Sequence, residues 1–247
     1  MSTQRSGRLG VGIIGAGLVG PVLGAALAGA GHALTGISAI SAPSRERAAA
    51  ILPGVPVLEV PRVIERSELV LLAVPERELR GLVEGLAATG AWQPGQLVVH
   101  TAPGYGIRVL APATAAGAIP LAIHPAMTFT GTSLDLTRLA EAWFAVTAPA
   151  PVQPIGQALV VEMGGEPILV GEADRPAYAE AVATVSAFSP AIIEQAVRLL
   201  AGIGIESPGS VLGPLARTSL EDALSRASAA SIDLADLPSV GDLEEEP

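Results

Sequence analysis

The 247-residue chain can bury a full core in one large or two modest domains, and at 50% hydrophobic, 15% charged and 3% aromatic residues its helices must pack on neighbours. Without Cys there is no disulfide, thiol nucleophile or thiolate metal site, and three scattered histidines argue against a metal centre. The net charge of −10 sits mainly in the C-terminal end: from Glu221 onward eight acids face Arg226 alone, leaving 16 acids and 13 bases elsewhere, so no basic face invites nucleic acid. These bounds predict a cytoplasmic protein with a disordered, solubilising acidic tail over 232–247 and a flexible N-terminus over 1–8.

From Leu9 to Thr35 no residue is charged, and Arg5 and Arg8 precede the stretch. Its many glycines and Pro21 argue against a signal peptide or membrane span. They follow a pattern instead. The run Gly10–Ile14 reads as a strand, then Gly15-x-Gly17-x-x-Gly20 opens an Ala/Leu-rich helix, and a second strand follows within residues 32–41. Strand, glycines and helix in this order form a dinucleotide site. Gly15 makes the tight turn, Gly17 lets backbone approach the pyrophosphate, and Gly20 lets helix pack on strand. Ala16, Leu18 and Val19 complete the turn, and the helix start offers N–H groups to the phosphates.

An NAD site usually carries Asp or Glu at the end of the second strand. Here that region offers Ser38, Ser41, Ser44, Arg45 and Arg47, with no carboxylate before Glu46. Hydroxyls and guanidinium suit a 2′-phosphate, which favours NADP, with NAD possible. The plainer alternative is that Ser44 caps the helix over 45–52 and the arginines are solvated. His32, in a helix-to-strand turn, reads as structural.

Further parallel strands are expected at 69–75, 96–101, 121–125 and 143–148, with a helix over 76–90. Ligands in open α/β sheets bind beyond the carboxyl ends of strands. That places Ala73, Val74 and Pro75 at the cofactor, His100 at the substrate, and Thr101 and His124 as catalytic candidates. Met127, Thr128 and Thr130, which follow Pro125, are candidate substrate contacts. Beyond Thr147 the pattern becomes mainly helical, with a helix over 154–165 and a short strand at 167–170. The region 174–205 is helical in period, and Pro190 predicts a break, with a new helix capped by Ser189. The fold class is therefore α/β, a doubly wound parallel sheet over 9–171 followed by a smaller all-helical domain over 172–231.

Taken together, "GIIGAGLVGPVLGAAL", "LVLLAVPERELRGLVEGLA", "GQLVVHT", "AIHPAMTFTGT" and "EMGGEPILV" make the chain resemble a family. This is the bacterial Rossmann-like oxidoreductases with a helical C-terminal domain of unknown function, related to ketopantoate reductases and pyrroline-5-carboxylate reductases. The resemblance implies a nicotinamide dinucleotide in the N-terminal crevice, a homodimer through the C-terminal helices, and reduction of a small oxo acid or imine. Two departures stand out. The strand ending at His100 continues Thr101-Ala102-Pro103 where the family has a serine, and Ala179, Thr184 and Ala187 replace its His- and Asn-bearing helix face. The stretch "SAFSPAIIEQA" resembles the carboxylate-gripping helix start of pyrroline-5-carboxylate reductases, which implies a substrate contact at Ser189.

All 14 basic residues are Arg, so a lysine acid is impossible. The remaining proton donors are His124, His100, Thr101, Tyr105 and Tyr178. Three readings stay open: an NADPH-dependent reductase of a small, ketopantoate-like 2-oxo acid using His124, a cyclic imine reductase gripping a carboxylate at Ser189–Ala191, and a dinucleotide-binding protein that has lost its chemistry.

Overall fold

The computed structural model of the chain describes residues 8–229. The expected acidic tail, and the expected flexible N-terminus apart from Arg8, lie outside the described residues. Seven strands, β1 (Gly10–Ile14), β2 (Ala33–Ser38), β3 (Leu69–Leu72), β4 (Leu97–His100), β5 (Ile119–Pro125), β6 (Trp143–Thr147) and β7 (Glu166–Leu169), form one sheet. Its order is β2-β1-β3-β4-β5-β6-β7. The helices are α1 (Gly20–Gly29), α2 (Ala42–Ile51), α3 (Val60–Glu65), α4 (Glu76–Ala88), α5 (Ala111–Ala115), α6 (Leu134–Leu139), α7 (Gln153–Glu162), α8 (Arg175–Gly202) and α9 (Pro208–Ala229).

The strands are apolar on both faces because both are covered. Leu69, Leu71, Val99, Leu121 and Ile123 pack on one side with Leu23, Leu27 and Leu159. Val70, Leu72 and Val98 pack on the other with Leu79, Val83, Trp92 and Leu110. Burying each such side chain stabilises the fold by about 1.5–3 kcal/mol, which keeps the strand ends in fixed register. His32 is buried as a structural group, its Nδ1 accepting from the Leu9 N–H at 3.2 Å and its Nε2 lying 2.8 Å from Glu162.

One strand departs from the all-parallel expectation: β6 runs antiparallel to β5, then pairs in parallel with β7. The six residues of α6 span about 9 Å at 1.5 Å per residue. The connection, residues 126–142, carries this one short helix, and the strand returns beside its predecessor.

The break expected at Pro190 is absent. Helix α8 runs for 28 residues with Pro190 inside it, so Ser189 caps nothing. Proline removes one N–H and crowds one carbonyl, and the long flanking segments carry that local loss. The chain divides into two compact units between Ala183 and Thr184. Among the described residues of the second unit, Val185, Phe188, Ile192, Leu199, Leu215 and Leu220 are exposed. A groove there is lined by Ser189, Ile192, Ile193, Leu212, Leu215 and Leu220. No helix among the described residues is long and apolar enough to cross a membrane.

Candidate active site

The glycine-rich turn leaves β1 at Ile14 and enters α1. Gly15 has φ +108°, and a Cβ there would lie 2.3 Å from the Ala73 carbonyl oxygen. At Gly20 a Cβ would lie 2.1 Å from the Gly15 carbonyl oxygen. Both glycines are thus demanded by the protein's own packing. Gly17 is different: it is exposed, and nothing lies within 4 Å of where its Cβ would stand. Its lack of a side chain is therefore not demanded by the protein's own packing. Val19 forms the N-cap of α1, and no side chain caps that first turn, so its N–H groups remain available to an anion.

A cleft of about 430 Å³ opens beside this turn, lined by Gly15, Ala16, Gly17, Ser38, Ile40, Ser41, Ser44, Ala73, Val74, Pro75 and, from α4, Glu78. The residue types and the cradle fit a dinucleotide. Ser41, rather than Ser44, caps α2: its Oγ accepts from the Ser44 N–H at 3.3 Å. The cap moves upstream because Pro43 already occupies the first turn. Arg45 is exposed on α2, outside the residues lining the cleft. Arg47 instead donates from Nη1 to the Ala16 carbonyl at 3.1 Å and so ties α2 to the glycine turn.

At the same edge of the sheet, at the end of β5, His124 Nδ1 lies 2.8 Å from the Tyr178 hydroxyl. Tyr178 comes from the first turn of α8, and the two rings meet edge-on at 5.5 Å. Thr101, at the end of β4, is partly buried, Met127 is partly buried and Thr128 is exposed. Burial pushes the His124 imidazole down to about 4, with the Arg175 cation adding to the effect. Burial pushes the Tyr178 phenol up, and Arg175 opposes this in part.

His100 is not a substrate contact. It is fully buried, its Nε2 donates to the Gly106 carbonyl at 2.8 Å and its Nδ1 accepts from the Ala102 N–H at 3.2 Å. A strand-end position was the right address, but the following loop folds over the ring and uses both nitrogens. Burial pushes it down to about 4 as well.

Both histidines therefore bind protons more weakly than in the unfolded chain, near 6.5. Acid favours the unfolded state, so stability is full above about pH 6.5 and falls towards pH 4. Urea unfolding is expected to show a loss of about 2–4 kcal/mol between pH 7 and pH 5. His124→Asn should reduce that loss, and an equal loss in the variant would contradict the assignment.

The group that sequence reasoning missed is Arg175, the first residue of α8. It is fully buried. Its Nε donates to Thr147 Oγ1 at 2.7 Å, and Nη2 donates to the carbonyls of Ala122 at 2.8 Å and Ala145 at 3.0 Å. Nη1 is buried without a hydrogen-bond partner. The guanidinium carbon lies 5.8 Å from the centre of the Tyr178 ring. Burial pushes Arg175 down to about 10, which leaves it positive at neutral pH. The available signal was an arginine opening an otherwise Ala-rich, apolar helix.

The loop after Pro125 is built around Asp135, which is fully buried. Its carboxylate accepts from the N–H groups of Thr130 and Gly131, both at 2.8 Å, and from Thr130 Oγ1 at 2.9 Å. Burial alone would raise this carboxyl, but these bonds outweigh it and hold it below its ordinary range. Thr130 thus spends its hydroxyl on the loop itself. Gly131, at φ +73°, packs so closely on Leu18 and Arg47 that a Cβ there would lie 2.6 Å and 2.9 Å from their side chains.

A family model described as a Rossmann-like domain matches residues 1–125, just over half of the chain. The chain belongs to the Rossmann-like domain family. A second model, a domain of unknown function (DUF2520), matches residues 142–232 of this Rossmann-like protein. No curated protein matches it. Among solved structures it is similar to a 1-pyrroline-5-carboxylate reductase from Streptococcus pyogenes, with a TM-score of 0.66 and 20% identity over 97% of this chain and 86% of that one. An imine reductase from Pseudomonas sp. gives a TM-score of 0.68 and 16% identity over 90% and 77% of the two chains. A Plasmodium falciparum pyrroline carboxylate reductase with NADP bound gives 0.64 and 11% over 98% and 86%. At these identities the likeness is one of fold.

Proposed function

We propose that the protein is an NADPH-dependent reductase of a small carbonyl compound. The observation that carries this reading is the Tyr178–His124 pair, joined at 2.8 Å at the same sheet edge as the glycine-rich turn. The family resemblance, and the reductases among the similar structures, support it. NADPH is favoured over NADH because β2 ends without a carboxylate while Ser41 and Ser44 line the cleft. Gly17 and the first turn of α1 would hold the pyrophosphate, and Ser41 and Ser44 the ribose phosphate, with Arg45 outside the cleft lining.

A bound dihydronicotinamide supplies a hydride. The chain's own residues supply the proton and stabilise the charge. When His124 Nδ1–H donates to the Tyr178 oxygen, the phenolic hydrogen is free to point at the substrate oxygen. As that hydrogen leaves, the phenolate charge is stabilised by the His124 N–H and by the buried Arg175 cation. His124, with its affinity for protons pushed down to about 4, is too little protonated at neutral pH to be the donor itself. The roles divide: Tyr178 gives the proton and His124 positions it.

A cyclic imine is the second substrate class, favoured by the imine and pyrroline carboxylate reductases among the similar structures. A carboxylate grip by backbone at Ser189–Ala191 is not part of it, because those residues lie within a continuous helix. The reading includes a homodimer through the exposed apolar faces of α8 and α9.

Titration with NADPH and NADH, followed by nicotinamide fluorescence, tests the cofactor: NADPH should bind more tightly, and failure of both at millimolar levels ends the proposal. Sedimentation of the same sample should give twice the chain mass. NADPH oxidation should then appear with ketopantoate, another 2-oxo acid or a cyclic imine. A flat panel with NADPH bound would favour a dinucleotide-binding protein without turnover.

A further inference from the structure

We propose that Arg175 anchors a carboxylate of the substrate, so that the Tyr178–His124 pair works on carbonyl compounds that also carry an acid group. The inference rests on the reductase reading and names its substrate class.

A buried guanidinium is retained only where its charge and its N–H groups are met. Here the three bonds it makes go to uncharged oxygens. Thr147 is set up for one of them, since its hydroxyl donates to the Val170 carbonyl at 2.6 Å and turns a lone pair to Arg175. These bonds use the edge of the guanidinium that carries Nε and Nη2, which fixes the plane. Nη1, at the opposite corner, keeps two hydrogens without an acceptor although it is buried.

The nearby acid does not answer it. Glu172 turns its carboxylate to the N–H groups of Ile107 and Arg108, at 2.7 Å and 3.1 Å, and forms no ion pair with Arg175. Glu172 acts on the cation only from a distance, so Arg175 stands beside Tyr178 without an ion pair. A carboxylate meets both needs at once, giving a charge-assisted bond to Nη1 and neutralising the charge. In a 2-oxo acid the reacting carbonyl is one bond from the carboxylate, so an anchor here sets its orientation to the phenol. Tyr178 lies 5.8 Å from the guanidinium, so an acid held there stands next to the phenol.

The test uses oxamate and its uncharged amide, oxamide, as probes. With the full-length protein saturated in NADPH, oxamate should raise the melting temperature and oxamide should not. Arg175→Met should weaken oxamate at least about tenfold while NADPH affinity stays within about twofold, and Arg175→Lys should recover part of the loss. Equal responses of the wild type to the two probes overturn the proposal, as does an Arg175→Met variant that holds oxamate like the wild type. If that variant fails to fold, the wild-type comparison decides alone. The same comparison without nucleotide separates the two readings. Failure to bind NADPH counts against the reductase, and indifference to oxamate counts against the anchor.

Discussion

Replacing Tyr178 with Phe is expected to lower kcat by about 10²- to 10³-fold, with NADPH affinity unchanged. The substitution removes one oxygen, so it deletes the proton donor and the 2.8 Å bond to His124 while keeping the ring over Arg175. His124→Ala should lose less, about tenfold, because the phenol survives without its support. His124→Asn, whose amide can offer an N–H close to the place of Nδ1, should recover much of that loss. The pH profile separates the two residues. Burial holds His124 at about 4 and pushes Tyr178 above its ordinary value, so kcat should be flat from about pH 6 to 9. A kinetic group near 6.5 would show an ordinary histidine acting as the acid, and would sink the division of roles.

The second large effect is at Gly17. A valine there meets no protein atom within 4 Å of its Cβ, and the native φ is not in the left-handed region, so the melting temperature should stay within about 2 °C. NADPH affinity should nevertheless fall at least tenfold, on the order of 1.4 kcal/mol, because the side chain occupies the approach to the backbone. Gly15→Ala supplies the contrast. It must adopt φ +108° and place its Cβ 2.3 Å from the Ala73 oxygen, so it should destabilise the fold itself by several degrees. A Gly17→Val protein that binds NADPH normally would exclude a pyrophosphate at this turn.

Much of the first unit was legible in the chain. Uncharged runs flanked by glycine and proline located every strand, and the spacing of Gly15, Gly17 and Gly20 located the cleft. The direction of β6 was not legible, because strand patterns carry no polarity. Nor was the continuity of α8, since a proline is a local signal and the helix around it is 28 residues long. His100 and His124 look alike in sequence, both closing apolar strands. Only the loop that brings the Gly106 carbonyl to His100 separates a staple from a site group. Arg175 was hidden for the same reason: its acceptors lie 28 to 53 residues away, on strands whose pairing a sequence does not display.

The bond from Arg47 to Ala16 bears on any attempt to re-engineer the protein for NADH. The usual move would place an acid near the end of β2, and Arg47 is an obvious basic residue to remove. Yet Arg47 also packs against Gly131, whose N–H is held by Asp135 in the loop that follows His124. Changing it would disturb the loop that leaves the substrate side as well as the cofactor turn. Coenzyme preference and substrate handling are not exchangeable parts here, and a swap at one would have to be redesigned at both.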